Sequence, residues 1–306
     1  MRLIIAKPRG FCAGVDRAIR SVERALERHG PPVYVLNNIV HNAHVVDELR
    51  QKGAVFVRSL DEVPEGAPLL FSAHGVGPDR KDHADRRHLR VIDATCPLVE
   101  RVHARARRYA QMNFTVIMIA EPGHDETVGT VGWAPEHIRI IQKPEDVAAL
   151  QVDDPDKIAY ITQTTLSVND CQAVIDALRN RFPAIQGPAG ADICYATANR
   201  QAAIVTLAPE ADLVLVVGDS ESANATRLRD VAHALGKPAQ LIPDAGAIQS
   251  EWLDNVNTVL ITSGASVPER LVENVLDWFR QRGPCTLEER TISQEHTEFR
   301  LPKEIA

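Results

Sequence analysis

The chain has 306 residues, of which 44% are hydrophobic, enough for two or three compact domains with substantial cores. Its formal charge of −7 argues against a protein that, as a whole, binds nucleic acid or a membrane surface. Five cysteines, an odd number without tight spacing, do not suit a secreted disulfide framework.

Lys7 and Pro8 come too early for a signal peptide. No apolar run approaches the ~20 residues of a transmembrane helix. A cytoplasmic protein with functional thiols is expected. One stretch departs from the acidic average: residues 80–108 hold nine Lys/Arg against four Asp/Glu, a net of +5. It reads as a solvated helix face or as a docking patch for an acidic redox protein.

In chain order, short apolar runs predict strands at Leu3–Ala6, Val33–Leu36, Ala54–Val57, Leu69–Phe71, Val91–Ile92, Val116–Ile119, Ile158–Ile161, Leu213–Val217 and Val259–Ile261. Continuous apolar runs are typical of parallel strands buried on both faces. Helical periodicity lies between them. Val15, Ile19, Val22 and Leu26 form one stripe, closed by Gly30; Leu228, Val231 and Leu235 form another, closed by Gly236. Pro97 and Pro268 suit first helical positions. Alternating strands and helices predict α/β lobes with mainly parallel sheets and right-handed crossovers. The expected division is a first lobe over 14–96, a second over 97–193, a third over 1–13 with 194–283, and a tail over 284–306. The tail shows no helical pattern and is expected to pack through Phe299 and Leu301.

Each lobe carries one cysteine ahead of a helix-like segment: Cys12, Cys96 and Cys194. A polar loop begins 29, 28 and 28 residues later, at His41, His124 and Ser222. Thiolates at helix N-termini are stabilised by the helix dipole. Structural zinc normally shows paired ligands such as C-x₂-C, absent here. A lone nucleophile would explain one cysteine, not three. An iron–sulfur cluster accepts thiolates from distant parts of a chain. Cluster ligands, buried cysteines and zinc or nucleophile roles remain open from the pattern. Cys171 lies on the helical stripe Val168, Cys171, Ile175, Leu178 and Phe182 and reads as core.

The strand-end loops supply His41, His74, His124 with Glu126, Thr164 with Thr165, Ser222 with Asn224, and Ser263 with Ser266. Ligands of open α/β sheets bind at such carboxyl ends. Neutral and cationic donors without a lysine-rich phosphate loop suit a diphosphate held by hydrogen bonds. Metal binding by the histidines is the alternative. Glu126, near a diphosphate, suits proton transfer; otherwise it is a first-turn residue favoured by the helix dipole.

The segments Pro-Arg-Gly-Phe-Cys-Ala-Gly-Val, Phe-Ser-Ala-His-Gly-Val, Asp-Ala-Thr-Cys-Pro-Leu-Val, Thr-Gln-Thr-Thr-Leu-Ser and Asp-Ile-Cys-Tyr-Ala-Thr, in this order, resemble the 4-hydroxy-3-methylbut-2-enyl diphosphate reductase family. The resemblance runs from Leu3 to about Lys303. It implies a trefoil of three α/β lobes around a central [4Fe–4S] cluster, with Cys12, Cys96 and Cys194 as ligands and one iron open to substrate. His41, His74, His124, Ser222, Asn224 and Ser266 would hold the diphosphate of an allylic diphosphate substrate. Glu126, Thr164 and His124 would carry the catalytic work. Ferredoxin or flavodoxin would donate electrons, and isopentenyl and dimethylallyl diphosphate would be the products, at the end of the methylerythritol phosphate route. The chain departs from the family pattern at Ala223, where a serine is common, at Asp125, where a proline is common, and at Glu121, which adds negative charge. Two other functions compete: a cluster-based hydro-lyase without net electron transfer, and a redox sensor, which would need an output element not seen in the sequence.

Overall fold

The computed structural model describes residues 1–306. The chain runs β1 (Arg2–Lys7), α1 (Ala13–His29), β2 (Val33–Leu36), α2 (Ala43–Gln51), β3 (Ala54–Val57), β4 (Pro68–Phe71), α3 (Pro78–Arg86) and β5 (Arg90–Asp93). It continues through α4 (Pro97–Gln111), β6 (Thr115–Ile119), α5 (Asp125–Val131), β7 (Ile138–Ile141), α6 (Asp146–Ala149), β8 (Ile158–Thr162), α7 (Val168–Arg181) and α8 (Tyr195–Leu207). It ends with β9 (Leu213–Val217), α9 (Ala223–Ala234), β10 (Ala239–Ile242), β11 (Thr258–Ser263), α10 (Glu269–Arg280) and β12 (Thr286–Thr291).

All nine apolar runs are strands. They belong to three sheets, ordered β10-β9-β11-β1-β12, β3-β2-β4-β5 and β7-β6-β8. Every strand pair is parallel. Parallel strands require crossovers, and the helices supply them. Three strands escape the sequence pattern. β7, β10 and β12 are edge strands, where one side of the ladder meets no further strand and the apolar run is short or absent. β12 reads Thr-Leu-Glu-Glu-Arg-Thr and alternates intermediate and exposed positions. The stretch expected to be a tail therefore contributes a strand, paired to β1 from Arg2↔Thr286 to Lys7↔Thr291. Phe299 and Leu301 are half-buried, and Ile305 is fully buried.

The five-stranded sheet shows why its strands are apolar throughout. Leu3, Ile5, Leu213, Leu215, Val217, Val259 and Ile261 face α10, through Leu271, Val272, Val275 and Phe279. The alternate residues Ile4, Ala6, Val214, Val216 and Leu260 face α8 and α9, through Ala203, Ile204, Leu228 and Ala232. Each fully buried Leu, Ile or Val contributes roughly 1.5–3 kcal/mol. Helix α1 ends on Gly30 and α9 near Gly236, both at positive φ (70° and 73°). Cys96 caps α4, with Pro97 in its first turn; Pro268 precedes α10 as its cap.

The chain forms two compact units. One comprises Met1–Val15, His41–Val45 and Tyr195–Glu298 and contains the five-stranded sheet. The other comprises Asp16–Val40, Val46–Cys194 and Phe299–Ala306 and contains the four- and three-stranded sheets. No helix is long and apolar enough to cross a membrane.

Candidate functional site

Eight of the nine loops singled out in the sequence leave the carboxyl end of a parallel strand and enter a helix. Cys12 follows β1, His41 follows β2, His74 follows β4 and Cys96 follows β5. His124 follows β6, Thr164 follows β8, Ser222 follows β9 and Ser266 follows β11. Cys194 instead ends the loop between α7 and α8. None of the five cysteines is in a disulfide. Cys12, Cys96 and Cys194 are partly exposed and immediately precede α1, α4 and α8. Cys171 is different: it is 1% exposed in the core under β8, and burial pushes its thiol pKa up to about 12. It packs as an apolar residue and cannot readily supply a thiolate.

In the unit holding the four- and three-stranded sheets, Glu126 is the centre of the polar group. It lies in the first turn of α5 and is 1% exposed. Its Oε1 accepts the backbone N–H of Thr164 at 2.7 Å, and its Oε2 accepts the Thr164 hydroxyl at 2.8 Å. Burial raises its pKa to about 7, although both Thr164 bonds favour the carboxylate and hold the rise back. A carboxyl group poised near neutrality can release and recover a proton at working pH. His124 caps the same helix. Its Nδ1 accepts the Glu126 N–H at 3.1 Å, so its proton sits on Nε2 and the ring is a neutral donor there.

His74 meets His124 edge-on, with ring centroids 5.8 Å apart. Its Nδ1 lies 3.3 Å from the Ser72 hydroxyl and 3.8 Å from Asp125 Oδ2. Asn37, in the left-handed region at φ 58°, donates its amide to Asp125. Asp125 thus faces the first histidine pair as a negative charge, whereas Glu121 ties down the loop through its N–H to Gln163 Oε1.

Cys96 and Cys194, two of the three cysteines of this unit, are anchored to the same loops. Cys96 donates its N–H to Ala73 O, next to His74; Cys194 donates its N–H to Thr164 O. Asp192 and Thr162 exchange bonds ahead of Cys194. Ahead of Cys96, Asp93 accepts from the Thr95 N–H and hydroxyl and pairs with Lys81 at 2.8 Å. Arg17 donates to the carbonyls of Asp93, Thr95 and Arg300. Burial lowers the Arg17 pKa, and the Asp93 carboxylate is the first of the charges that oppose this. Sequence reasoning missed Arg17, Gln163 and Asp93. Arg17 lies five residues after Cys12 inside a helical stripe, and nothing local points to the loop it serves.

The unit holding the five-stranded sheet gathers Cys12, His41, Ser222, Asn224 and Ser266. Cys12 donates its N–H to Ala265 O, and the Gly10 N–H reaches Ser263 Oγ at 2.8 Å. Ser263 therefore shapes the Cys12 loop. Asn224 accepts the Ala265 N–H at 2.8 Å and donates to Thr197 at 3.2 Å, which leaves one amide hydrogen for a ligand. Ser222 caps α9 by accepting from the Ala225 N–H, which leaves its hydroxyl hydrogen. Ser266 donates its hydrogen to His41 O at 2.9 Å, so it ties two loops and must rotate to donate elsewhere. Ala223 opens α9 with no side-chain donor, as its identity dictates.

The donor sets fit a thiophilic metal group. Three cysteines stand at helix starts, and soft thiolates select iron–sulfur clusters, zinc or copper.

A model of the LytB protein family matches residues 3–280. A 4-hydroxy-3-methylbut-2-enyl diphosphate reductase of Mycolicibacterium vanbaalenii is 49% identical over 305 residues, covering 99% of this chain and 90% of that protein. A protein of Mycobacterium tuberculosis named 4-hydroxy-3-methylbut-2-enyl diphosphate reductase 2 is 50% identical over 305 residues, covering 99% and 91%. The solved E-1-hydroxy-2-methyl-but-2-enyl-4-diphosphate reductase of Plasmodium falciparum superposes with a TM-score of 0.94 at 37% identity, covering 99% of this chain and 96% of that one. A second solved reductase, described as the terminal enzyme of the non-mevalonate pathway, gives 0.65 at 30% identity, covering 92% and 100%. With a family model spanning most of the chain and relatives of this identity over nearly its full length, the chain belongs to the LytB family.

Proposed function

We propose that this chain is an oxidoreductase that removes the hydroxyl of 4-hydroxy-3-methylbut-2-enyl diphosphate reductively, giving isopentenyl and dimethylallyl diphosphate. Relatives about half identical over about nine-tenths of their own length carry that name. The structural observation that carries the reading is the buried Glu126–Thr164 pair, with its carboxyl pKa near 7.

The balance is substrate, two electrons and two protons to product and water. Cys12, Cys96 and Cys194 are the proposed ligands of a [4Fe–4S] cluster, which when bound supplies the electrons one at a time. Ferredoxin or flavodoxin is the proposed donor. Glu126 delivers a proton to the departing hydroxyl from Oε2, and the Thr164 hydroxyl is the shuttle in contact with that oxygen. Thr164 also holds the carboxyl in place through its N–H. His124 presents Nε2–H, and His41, His74, Ser222, Asn224 and Ser266 complete the proposed diphosphate-binding set. Strand-end loops supply such donors readily. Asp125, 3.8 Å from His74, acts against anion binding, and Ala223 removes one hydroxyl donor, worth about 0.5–1.5 kcal/mol if neutral. A cytoplasmic location is part of the proposal.

The test is anaerobic purification with iron and sulfide analysis, then assay with the hydroxylated diphosphate and a low-potential reductant. About four irons per chain, as three thiolates and an open iron imply, with reductant-dependent formation of both five-carbon diphosphates, is the expected result. Turnover without any electron donor would overturn the reductive reading in favour of a hydro-lyase.

A further inference from the structure

Helix α4 carries more positive charge on its exposed side than its surroundings neutralise. Arg101, Arg107 and Arg108 are exposed, and Glu100 is the only carboxylate on the helix. Arg105 is tied to Asp192, yet burial, and after it the fields of Arg101 and Arg108, lower its pKa. Like charges three or four apart on a helix repel. Cation–π contacts of Arg107 with Trp133 and of Arg108 with Tyr109 offset part of that repulsion and leave the positive charges themselves unneutralised.

A packed column leads inward from the same face. The half-buried Trp133 ring lies between Lys81 Nζ, 5.4 Å from its centroid, and Arg107 Cζ, at 5.1 Å. Its indole N–H donates to Val76 O. Behind it stands the His103 imidazole, 4% exposed, with ring centroids 5.8 Å apart and planes tilted by 33°. His103 Nε2 has no hydrogen-bond partner, and burial holds the pKa down to about 4. The ring is neutral and has no part in the proton chemistry described above. It rests on Gly75: a Cβ there would lie 2.5 Å from His103 Cε1 and 3.0 Å from Thr95 Cγ2. Thr95 precedes Cys96, and His103 lies two helical turns beyond Cys96 on α4.

Resting on the reductive reading above, we propose that this face docks an acidic one-electron carrier protein, and that Trp133 and His103 form the route inward to the Cys96 side of the metal group. In each encounter the reduced carrier loses one electron and the metal group gains it. Two encounters supply the two electrons that dehydroxylation consumes. Charge complementarity selects the partner: uncompensated arginines attract a carboxylate-rich surface and steer its approach. Trp133, clasped by two cations, offers a rigid aromatic contact at the entry point.

The test compares photoreduced flavodoxin with reduced methyl viologen as donors to the metal-loaded full chain, wild type and Arg101→Glu/Arg108→Glu. With flavodoxin, kcat/KM of the double variant falls about 10- to 100-fold and its salt dependence flattens. With viologen, turnover is unchanged. Equal flavodoxin kinetics in the two proteins overturn the docking face, as does a parallel loss with both donors. Trp133→Leu tests the route: stopped-flow reduction of the metal group by saturating flavodoxin slows, whereas an unchanged rate removes the column from the pathway. A wild type that fails to turn over with viologen would remove the reductive reading, and this proposal with it.

Discussion

Glu126 and Cys171 show how burial sets opposite fates for two titratable groups. Both are 1% exposed, and burial raises both pKa values. The thiol goes to about 12 and stays protonated at any working pH. The carboxyl reaches only about 7, because Thr164 donates two hydrogen bonds to its charged form. Removing the hydroxyl in Thr164→Val takes away the largest restraint and raises the carboxyl pKa further. The alkaline fall in turnover, where the acid is lost, then moves to higher pH; a profile that stays put removes the hydrogen bond from the account. Glu126→Gln keeps the Thr164 N–H partner but cannot release a proton. It is expected to retain its metal and lose about 10²- to 10⁴-fold in kcat. Linkage gives an independent check. A pKa raised in the folded state stabilises the fold below the unfolded carboxyl value and loses that stabilisation as pH rises toward about 7. Glu126→Gln therefore flattens the decline in unfolding free energy across that window. Cys171→Ser, by contrast, should leave the iron content unchanged, and a fall in iron per chain would show that the ligand set is wrong.

At the scale of elements, the Cys96 loop is built from parts far apart in sequence. Arg17 of α1 binds the carbonyls of Asp93 and Thr95; Lys81 of α3 binds the Asp93 carboxylate; Ala73, after β4, accepts the Cys96 N–H. Arg17→Met leaves the Asp93, Thr95 and Arg300 carbonyls without their cationic donor. Bonds to charged groups are worth about 1.5–3 kcal/mol each when buried, and half-burial puts the net loss near 2 kcal/mol. Urea melts measure that loss, and iron release to a chelator should be faster. A variant as stable as wild type would show that water replaces the guanidinium without cost.

For the whole molecule, the decisive feature is how late the chain completes its first sheet. β1 comes from the N-terminus, but its neighbours β11 and β12 come from the last fifth of the sequence. Such non-local pairing slows folding. The segment after β12 is fastened by an ion pair whose arginine is fully buried. Arg200, fully buried, binds Glu295 at 3.0 Å and the Gly10 carbonyl at 2.7 Å. Glu295→Ala takes the carboxylate from a buried guanidinium that keeps the Ala196 and Gly10 carbonyls, and is expected to cost about 1.5–3 kcal/mol. Hydrogen exchange over Ser293–Glu298 should rise well above the global rate change; uniform exchange would mean that the segment is held by other contacts.

Read from the sequence by itself, the nine apolar strands, the α/β class, the core role of Cys171 and the strand-end position of the polar residues were all accessible. Apolar runs, helical stripes and punctuating glycines are local signals, and local steric and hydrophobic preferences create them. The edge strands β7, β10 and β12 were not, although the edges β3, β5 and β8 were: β12 is held by ladder bonds and by Arg2–Glu288 pairing rather than by an apolar run. The proximity of Thr164 to Glu126, 38 residues apart, is likewise a product of the tertiary fold. So are the raised pKa of the Glu126 carboxyl and the service of Arg17 to the Cys96 loop. A pKa depends on the dielectric and partners that packing assembles, and no residue carries that information in its own neighbourhood.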